Sequence, residues 1–236
     1  MAPNQNESCR ISVLIPALNE ASTIAVAVQD AADALRGHEI IVIDGGSDDD
    51  TADIAGQYAT VLRTTASRGA SLNAGARISA GNVLLFLHAD TRLPRDAGDE
   101  IARALRAPRV VGGAFRFAFD TRCAMARVIA AWVNMRSRIF NLFLGDQALF
   151  VRKDVFFRAG GFRDWNLMED LEILSRLRRF GRLRMTRSSI TTSARRHLRD
   201  GWIRTTRTVW LVTLLYFLGV PSRILNRWYR QRPVRS

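Results

Sequence analysis

Two short acidic segments each follow an apolar run of the length expected for a buried strand. Residues 44–51 (DGGSDDDT) begin at the end of EIIVID, and residues 88–90 (HAD) follow NVLLFL. Carboxylates at the carboxyl end of a strand, with glycine allowing close backbone approach, suit a nucleotide whose diphosphate is bridged to the protein by a divalent cation. The pattern therefore predicts that Asp44 and Gly45 contact the nucleoside, with Asp44 accepting a hydrogen bond from the base or the ribose.

The HAD segment supplies the predicted metal ligands. A carboxylate directly after a strongly apolar strand is costly to bury alone, and ligation of Mg²⁺ or Mn²⁺ by Asp90 explains its presence. His88 is a second candidate ligand or a ribose contact, and Ala89 lies between them in the same donor-binding segment. The three aspartates at 48–50 are expected to cap the following helix rather than to touch an anion.

A third polar segment, residues 15–20 (IPALNE), lies in the first turn between a predicted strand and a helix. This is where a doubly wound sheet opens to ligand, so Pro16, Asn19 and Glu20 are candidate donor-binding residues. The alternative is that Asn19 or Ser22 only caps the helix.

A fourth polar segment, residues 68–75 (RGASLNAG), begins a helix after the third predicted strand. Arg68 at a helix N-terminus suits a diphosphate or base contact, and Asn73 is grouped with it. A surface arginine in an ordinary turn is the alternative. Neither G-x-G-x-x-G nor G-x-x-x-x-G-K occurs at the expected turns, which disfavours nicotinamide and ATP-hydrolase sites.

Two segments in the second half of the chain are predicted to serve an acceptor. Gly145, Asp146 and Gln147 (GDQ) precede a short strand, and Glu169 and Asp170 open a helix. Transfer to a hydroxyl needs a base that removes its proton, and Asp170 is the candidate, positioned by Glu169. Stabilisation of the helix dipole by the two acids is the alternative explanation.

The elements that must position these residues alternate between strand and helix. Strands are predicted at 11–16, 39–44, 60–64 and 82–88, with helices at 21–36, 49–58, 70–80 and 94–106. This alternation predicts a mostly parallel, Rossmann-like sheet with helices on both faces. After residue 108 the expected elements are strands at 110–119 and 148–152 and helices at 123–140 and 167–180.

The net charge of +13 is concentrated at the C-terminal end. Residues 176–236 carry 16 Arg and one acid, Asp200, whereas residues 1–175 carry 19 basic and 21 acidic side chains. Within this region the apolar run 209–220 lies between arginines and is too short to span a bilayer, which needs about 20 residues. It is predicted to lie on an anionic membrane surface or to cover the core; nucleic acid is the least favoured partner.

The N-terminal residues are polar and contain no cleavable apolar segment, so a cytoplasmic setting is expected, on the inner face of the membrane. Cys9 and Cys123 lack C-x-x-C spacing and are expected to be reduced and inert. The predicted division is a main domain at 1–195 and a basic, apolar helical segment at 196–236, named here the C-terminal segment.

Over residues 11–185 the chain resembles the family 2 glycosyltransferases. The matching pieces are PALNE, DGGSDDDT, the RG-x-x-x-N-x-G helix start, HAD in place of the usual D-x-D, GDQALFVRKDVF and the acidic pair of MEDLE. The resemblance implies a GT-A fold, a nucleotide-diphospho-sugar donor, a divalent cation and an inverting single displacement. It places Asp44 on the nucleobase, Asp90 on the metal and Asp170 as general base, while His88 departs from the first aspartate of D-x-D.

The expected function is therefore metal-dependent sugar transfer to a hydroxyl acceptor, with a lipid-linked compound as one candidate acceptor. UDP is the default nucleotide because the resemblance makes it the commonest. A nucleotidyltransferase and a sugar-nucleotide-binding protein without turnover are the alternatives. The first would need a Gly- and Lys- or Arg-rich loop after the first strand, where PALNE stands, and the presence of both Asp90 and Asp170 disfavours the second.

Overall fold

The computed structural model describes residues 9–230 of the 236-residue chain. Predictions for residues 1–8 and for 231–236, the end of the C-terminal segment, lie outside the described residues. The strands are β1 (Ile11–Ala17), β2 (Glu39–Asp44), β3 (Thr60–Arg63), β4 (Val83–Phe86), β5 (Thr91–Arg92), β6 (Val110–Phe119), β7 (Leu149–Arg152) and β8 (Arg182–Thr192). The α-helices are α1 (Ile24–Ala34), α2 (Thr51–Gly56), α3 (Arg68–Ile78), α4 (Ala97–Arg106), α5 (Ala124–Phe140), α6 (Lys153–Arg158), α7 (Glu169–Leu177), α8 (Arg195–Asp200), α9 (Trp202–Phe217) and α10 (Ser222–Arg230).

Within residues 9–230 the strands form one sheet in the order β3-β2-β1-β4-β7-β6-β8-β5. The β3-β2-β1-β4 part is parallel throughout, and β6 pairs in parallel with β8. The β4–β7, β6–β7 and β5–β8 pairs are antiparallel. The predicted mostly parallel α/β sheet is confirmed, with a reversal at β7 that short apolar runs alone do not reveal.

Helices cover both faces because the central strands are apolar on both sides. Along β1, Val13 and Ile15 pack into a core cluster with α1 and α4, while Leu14 packs into a second cluster with α3, α6 and α7. A strand buried on both faces has a continuous apolar run instead of alternation. The ISVLI sequence of β1 therefore lies in the middle of the sheet, and its carboxyl end opens at the site.

Three elements of the structure, β5, α6 and β8, are not predicted from the sequence. The longest of these, β8, has the sequence RLRMTRSSITT and buries residues at irregular intervals of two to four, including Leu183, Thr186 and Ile190. Its exposed arginines resemble the basic region that follows. In the structure β8 pairs with β6 in parallel, with register shifts at two points, so this region belongs to the sheet.

The C-terminal segment packs partly on the core and is partly exposed. Val212 of α9 and Leu225 of α10 are each 1% exposed and join the cluster containing α6 and α7. Other apolar side chains of α9 are exposed, and Trp210 contacts Trp132 of α5, with ring centroids 5.3 Å apart. Between residues 9 and 230, no helix combines the length and apolar character needed to cross a bilayer.

Candidate active site

The turn after β2 holds Asp44 in a fixed position. Asp44 is the last residue of β2 and is 3% exposed, and its carboxylate accepts hydrogen bonds from the backbone N–H and the hydroxyl of Ser47. The N–H of Gly45 donates to the carbonyl of Ala17 at 2.8 Å, which joins the ends of β1 and β2. Gly46 has a φ of 87°, a conformation that glycine adopts without strain.

The turn after β1 is bound to the turn after β2. The backbone N–H of Asp48 donates to the Asn19 amide oxygen at 2.9 Å, and the hydroxyl of Ser47 accepts from the N–H of Asn19, also at 2.9 Å. Residue 23, at the N-cap of α1, makes no side-chain capping bond, and neither Asn19 nor Ser22 occupies that position. The capping alternative for Asn19 is therefore wrong, because its side chain reaches across to the second turn.

The aspartates at 48–50 behave differently from one another. Asp49 accepts from the N–H of Thr51, the first residue of α2, at 3.1 Å, and from the N–H of Ala21 at 3.2 Å. Asp50 occupies the N-cap position of α2 but makes no side-chain capping bond. The helix-start role predicted for the trio thus falls to Asp49, which also joins the two turns.

Asp90 borders a cavity of about 240 Å³ between α1, β5 and the end of β8. Asp90 is exposed in this cavity, so its carboxylate avoids the cost of complete burial after an apolar strand. Partial desolvation raises the pKa of Asp90, and the carboxylate of Glu20 adds to the rise. The cavity is lined by Ser22, Thr23, Val26, Ala27, Asp30, Ala89, Asp90, Thr91, Arg92, Asp120, Thr191, Ser193 and Arg195.

The donor set around Asp90 suits a cation shared with a ligand. Among residues 9–230 no three His, Cys, Asp or Glu side chains gather closely enough to hold a metal ion by themselves. Mg²⁺ is commonly bound through one or two carboxylates together with substrate phosphates, and Asp90 offers one such hard oxygen ligand facing open space. Asp90 therefore fits the predicted cation, with the remaining ligands coming from phosphate and water.

His88 lies away from this arrangement. Its Nε2 atom lies 2.8 Å from Nη2 of Arg68, and because a guanidinium only donates, Nε2 must accept. Burial, reinforced by the positive charge of Arg68, lowers the pKa of His88 to about 3, so the imidazole is neutral. The metal-ligand role predicted for His88 is not supported, because its Nε2 lone pair is engaged by Arg68.

Arg68 joins His88 to the acidic pair at the start of α7. Its Nε donates to Oε1 of Glu169 at 2.7 Å, and its backbone N–H donates to the amide oxygen of Asn166 at 2.9 Å. Arg68 is thus not a surface arginine. Because its Nε already donates to Glu169, this edge of the guanidinium is not free to bind a phosphate. Its contacts fix Glu169, which is 5% exposed.

Asp170 lines the same small cavity as Arg68, His88 and Glu169. It accepts hydrogen bonds from the backbone N–H groups of Leu171, at 2.8 Å, and Gly145. Burial raises the pKa of Asp170, although its two backbone hydrogen bonds act to lower it. Burial and the neighbouring charge of Asp170 raise the pKa of Glu169. A small cavity of about 20 Å³ lies beside Asp170 and is also lined by Pro16, Arg68, His88 and Gly145.

Gly145 and Asp146 lie where the predicted acceptor side meets the acidic pair. A Cβ on Gly145 would stand 3.1 Å from both Oδ2 of Asp170 and Nε2 of His88. Burial raises the pKa of Asp146 to about 6. The positive charge of Arg136 opposes this rise, and the negative charges of Asp170 and Asp90 add to it. Asp146 therefore lies within the electrostatic reach of both candidate functional aspartates.

Two predicted site residues have structural contacts instead. The amide of Asn73 donates to the carbonyl of Phe162 and accepts from its N–H, both at 2.8 Å, tying α3 to the loop before α7. The buried side chain of Gln147 accepts from the hydroxyl of Ser137 at 2.9 Å and donates to the carbonyl of Phe115 at 3.3 Å. Their amides are used within the protein, so the geometry does not support direct ligand contacts for either.

Two arginines near the site are not predicted from the sequence. Arg195 lines the cavity at Asp90 and lies 3.8 Å from the Glu20 carboxylate, but in the sequence it is one of many arginines near the C-terminal end. Arg136 lies on α5 and is acted on by Asp146 and Asp170. In the sequence nothing distinguishes Arg136 from the other arginines of this amphipathic helix.

The three aspartates lie along one edge of the sheet. Asp44 ends β2 and Asp90 follows β4, with β1 between them, so roughly 10 Å, two strand spacings, divide the carboxyl ends of their strands. Asp170 is joined to the HAD segment through Gly145 and to β1 through the cavity that Pro16 lines. An extended ligand lying across these strand ends would meet all three.

Comparisons with known proteins show the family to which the chain belongs. Residues 12–163, more than half of the chain, match the family model described as "Glycosyl transferase family 2". Two similar curated proteins, from Mycobacterium bovis and Mycobacterium tuberculosis, are named as PGL/p-HBAD biosynthesis glycosyltransferases. Each is 33% identical over 91 residues, and the match covers 35% of this chain and 36% of the relative, so the chain matches only about a third of the length of these relatives.

Solved structures share the fold over a larger part of the chain. A mannosyltransferase from Pyrobaculum calidifontis, in complex with GDP-Man and Mn²⁺, has a TM-score of 0.67 at 20% identity, covering 95% of this chain and 70% of its own. Glucosyl-3-phosphoglycerate synthase from Mycobacterium tuberculosis, in complex with Mn²⁺, UDP and glucosyl-3-phosphoglycerate, has a TM-score of 0.61 at 19% identity, covering 92% and 82%. At these identities the likeness establishes the fold, which is of the predicted GT-A type.

Proposed function

Because the chain belongs to glycosyl transferase family 2, we propose that it transfers a sugar from a nucleotide-diphospho-sugar to a hydroxyl acceptor, with inversion. The observation that carries the proposal is the pairing of an open, carboxylate-bearing cavity at Asp90 with a partly buried carboxylate, Asp170, on the same edge of the sheet. The first suits the departing diphosphate and the second suits the attacking hydroxyl.

The donor would lie across the carboxyl ends of β2, β1 and β4. Asp44, fixed by Ser47, would accept a hydrogen bond from the nucleoside, and the joined turns carrying Asn19 and Gly45 would form its floor. Asp90 would hold Mg²⁺ or Mn²⁺, and Arg195 at the other side of the cavity would face the diphosphate. The two structurally similar enzymes above contain UDP or GDP-Man with Mn²⁺, which supports a nucleoside diphosphate with a cation and leaves the base open.

The proposed reaction is a single displacement. The acceptor oxygen attacks the anomeric carbon while the bond from that carbon to the diphosphate oxygen breaks, and the acceptor proton passes to Asp170. A base with a raised pKa is better matched to this proton transfer near neutral pH than an ordinary carboxylate. When bound, the cation offsets the charge that develops on the leaving diphosphate. Arg68, which holds Glu169, keeps the neighbouring carboxylate in place.

A thermal-shift screen of nucleoside diphosphates and their sugars, with and without Mn²⁺, tests the donor site. A ligand that binds the folded state raises its stability by mass action, so at least one diphosphate should raise Tm, and Mn²⁺ should increase that rise. Asp90→Asn should remove the increment due to Mn²⁺. Asp33→Asn, an exposed aspartate on α1, is the matched control and should behave as the wild type. No Tm rise with any diphosphate, with or without Mn²⁺, would contradict the proposal.

We further propose that the protein works at an anionic membrane surface, on an acceptor presented there. The support is an exposed apolar surface, here called the α5–α9 face. Its members are Met125, Val128, Trp132, Met135, Ile139 and Phe140 of α5 and Ile203, Trp210, Leu211, Leu214 and Phe217 of α9. Arg204 and Arg207 lie on the same α9, and apolar side chains next to arginines are typical of interfacial helices. We propose the inner face of the cell membrane as the location of the protein, and a lipid-linked compound as its acceptor.

A further inference from the structure

Arg136 presents two unpaired nitrogen atoms beside the candidate base. It lies on α5, and its Nε and Nη2 atoms are buried without a hydrogen-bond partner. No ion pair within 4.0 Å forms between Arg136 and any acid in the described residues 9–230. Oδ1 of Asp146 is also buried and unpaired. The acidic groups that act on Arg136 are Asp146 and Asp170, so the three side chains form one charged cluster.

The two unpaired nitrogens have a specific geometry. Nε and Nη2 form one edge of the planar guanidinium, and their N–H bonds point in the same direction. This edge matches the two oxygens of a carboxylate or phosphate, which it binds through two parallel hydrogen bonds. Leaving buried donors unpaired is unfavourable, and more so when the group is charged. Such an edge is therefore typical of a site that is completed by a ligand.

An internal ion pair is the competing explanation. If Arg136 served only to neutralise Asp146, a direct contact between the guanidinium edge and Oδ1 would satisfy both groups. Instead, both have unpaired atoms, and they belong to different segments, α5 and the 3₁₀ turn Gly145–Gln147. Asp170, the third member of the cluster, accepts instead from the backbone N–H groups of Gly145 and Leu171.

We propose that Arg136 and Asp146 form an acceptor subsite beside Asp170, which selects acceptors carrying a carboxylate or phosphate close to the hydroxyl that is glycosylated. The edge of Arg136 binds the oxyanion, and Oδ1 of Asp146 accepts from a second hydroxyl of the acceptor. The inference rests on the proposed function, because it takes Asp170 as the base that receives the acceptor proton. The proposed site of the donor diphosphate is the separate cavity at Asp90 and Arg195, whose lining includes neither Arg136 nor Asp146.

The test measures the binding of three small probes to protein saturated with UDP and Mg²⁺ by titration calorimetry. Glycerol 1-phosphate and glycerate each combine hydroxyls with an oxyanion, and glycerol is the uncharged control. The two anionic probes represent the phosphate and carboxylate sources, and we expect at least one of them to bind about tenfold or more tightly than glycerol. Saturation with UDP keeps the probes out of the diphosphate site.

Variants of α5 distinguish direct contact between Arg136 and the anion from a general effect of positive charge on this helix. Arg136→Gln should weaken binding of the favoured anionic probe about tenfold or more, and Arg136→Lys should recover only part of it, since lysine lacks the planar fork. Arg138→Gln removes an exposed arginine from the same helix and should bind as the wild type does. The Tm rise with UDP and Mg²⁺ should be unchanged in all three, which shows that they fold and keep the donor site.

Three results would overturn the inference. They are equal binding of glycerol and both anionic probes, unchanged anion binding in Arg136→Gln, and anion binding that disappears on saturation with UDP and Mg²⁺. If the wild type binds no nucleoside diphosphate but still binds an anionic probe through Arg136, the proposed donor chemistry fails while the anion subsite stands. If UDP and Mg²⁺ bind but neither anionic probe does, only the subsite is contradicted.

Discussion

At the scale of single residues, the site separates two carboxylates by their surroundings. Asp90 is open to a cavity, while Asp170 is partly buried and held by two backbone N–H groups. The exposed group suits a hydrated cation and the enclosed group suits a proton transfer. Asp44 differs from both, because Ser47 fixes it as a hydrogen-bond acceptor.

Replacing Asp170 by Asn should remove the base and preserve the shape of the site. We expect release of nucleoside diphosphate from the preferred donor to fall by about 10²–10⁴-fold, the usual contribution of a general base. The Tm rise caused by that donor with Mn²⁺ should remain. Near-normal turnover in Asp170→Asn would show that another group takes the proton.

Asp146 should make stability depend on pH in a direction opposite to that of a salt-bridged aspartate. Its pKa in the folded protein is raised by burial to about 6, above the ordinary value of 3.8. Above pH 6 the Asp146 carboxylate is ionised in both the folded and the unfolded protein, so folding carries the full free-energy penalty of burying its charge. As pH falls from about 6 towards about 4, the folded state binds the proton first and this penalty is relieved.

Asp146→Asn should therefore increase the free energy of unfolding by about 1–3 kcal/mol near pH 8, and the increase should shrink as pH approaches about 4. Urea unfolding of the two proteins at several pH values measures it. A gain that is the same at all pH values would show that the carboxylate charge is not its cause.

The position of a site residue is predictable where its place along the chain determines it. Asp44 ends an apolar strand, so the sequence predicts that it emerges at the sheet edge, where the structure has it. The geometry does not support the ligand contacts predicted for Asn73 and Gln147, because the sequence does not show whether an amide meets a ligand or another part of the protein. Arg136 was missed because its importance comes from Asp146 and Asp170, which other segments bring to it.

At the scale of elements, the start of α3 positions Arg68 through an unusually close contact. Gly69 donates its N–H to the carbonyl of Trp165 at 2.9 Å, and a Cβ at this position would lie 1.9 Å from the carbonyl oxygen of Arg163. Only glycine allows α3 to lie this close to the loop before α7. The contact brings Arg68 to Glu169.

Gly69→Ala should therefore force α3 away from that loop. We expect the free energy of unfolding to fall by about 1–3 kcal/mol or more, as for an overpacked core, together with a smaller Tm rise from the donor. Gly98→Ala on α4 is the matched control. Its Cβ would meet a Leu35 methyl at 3.4 Å, an ordinary contact, so stability should stay constant or rise by up to about 1 kcal/mol. Equal stability of the two variants in urea would contradict the close-contact argument.

The first four strands and their helices could be predicted because apolar runs, polar turns and helix-length segments alternate regularly. Beyond residue 108 the same rules give elements but not their order. The antiparallel insertion of β7 between β4 and β6 depends on long-range pairing, and β8 presents arginines at its exposed positions. Local sequence periodicity contains neither kind of information.

At the scale of the whole molecule, the α5–α9 face determines how the protein would meet a bilayer. Trp132 and Trp210, one from each helix, are 42% and 46% exposed and contact each other. Aromatic side chains are favoured at the boundary between lipid and water. The two tryptophans are therefore the natural anchors of this face.

Binding to vesicles with an anionic lipid fraction should depend on both tryptophans and on ionic strength. The double variant Trp132→Ser, Trp210→Ser should bind the vesicles several-fold more weakly than the wild type. Raising the NaCl concentration should weaken vesicle binding by the wild type, because exposed charges are screened beyond about 10 Å at 0.1 M salt. Tyr58→Ser, an exposed aromatic residue on another surface, is the control. Co-sedimentation measures the bound fraction. Absence of binding by the wild type would leave the face without a membrane role, whereas salt-insensitive binding would assign it to apolar insertion alone.

The position of Arg195 has a consequence for biosynthesis. The cavity at Asp90 combines side chains from α1, from β5 and from the residues that follow β8, so its wall is complete only when Arg195 has joined it. All residues up to Arg195 must leave the ribosome before that happens. A nascent chain therefore cannot complete the proposed donor pocket until residue 195 has been synthesised, and the nucleotide can assist folding only after that point.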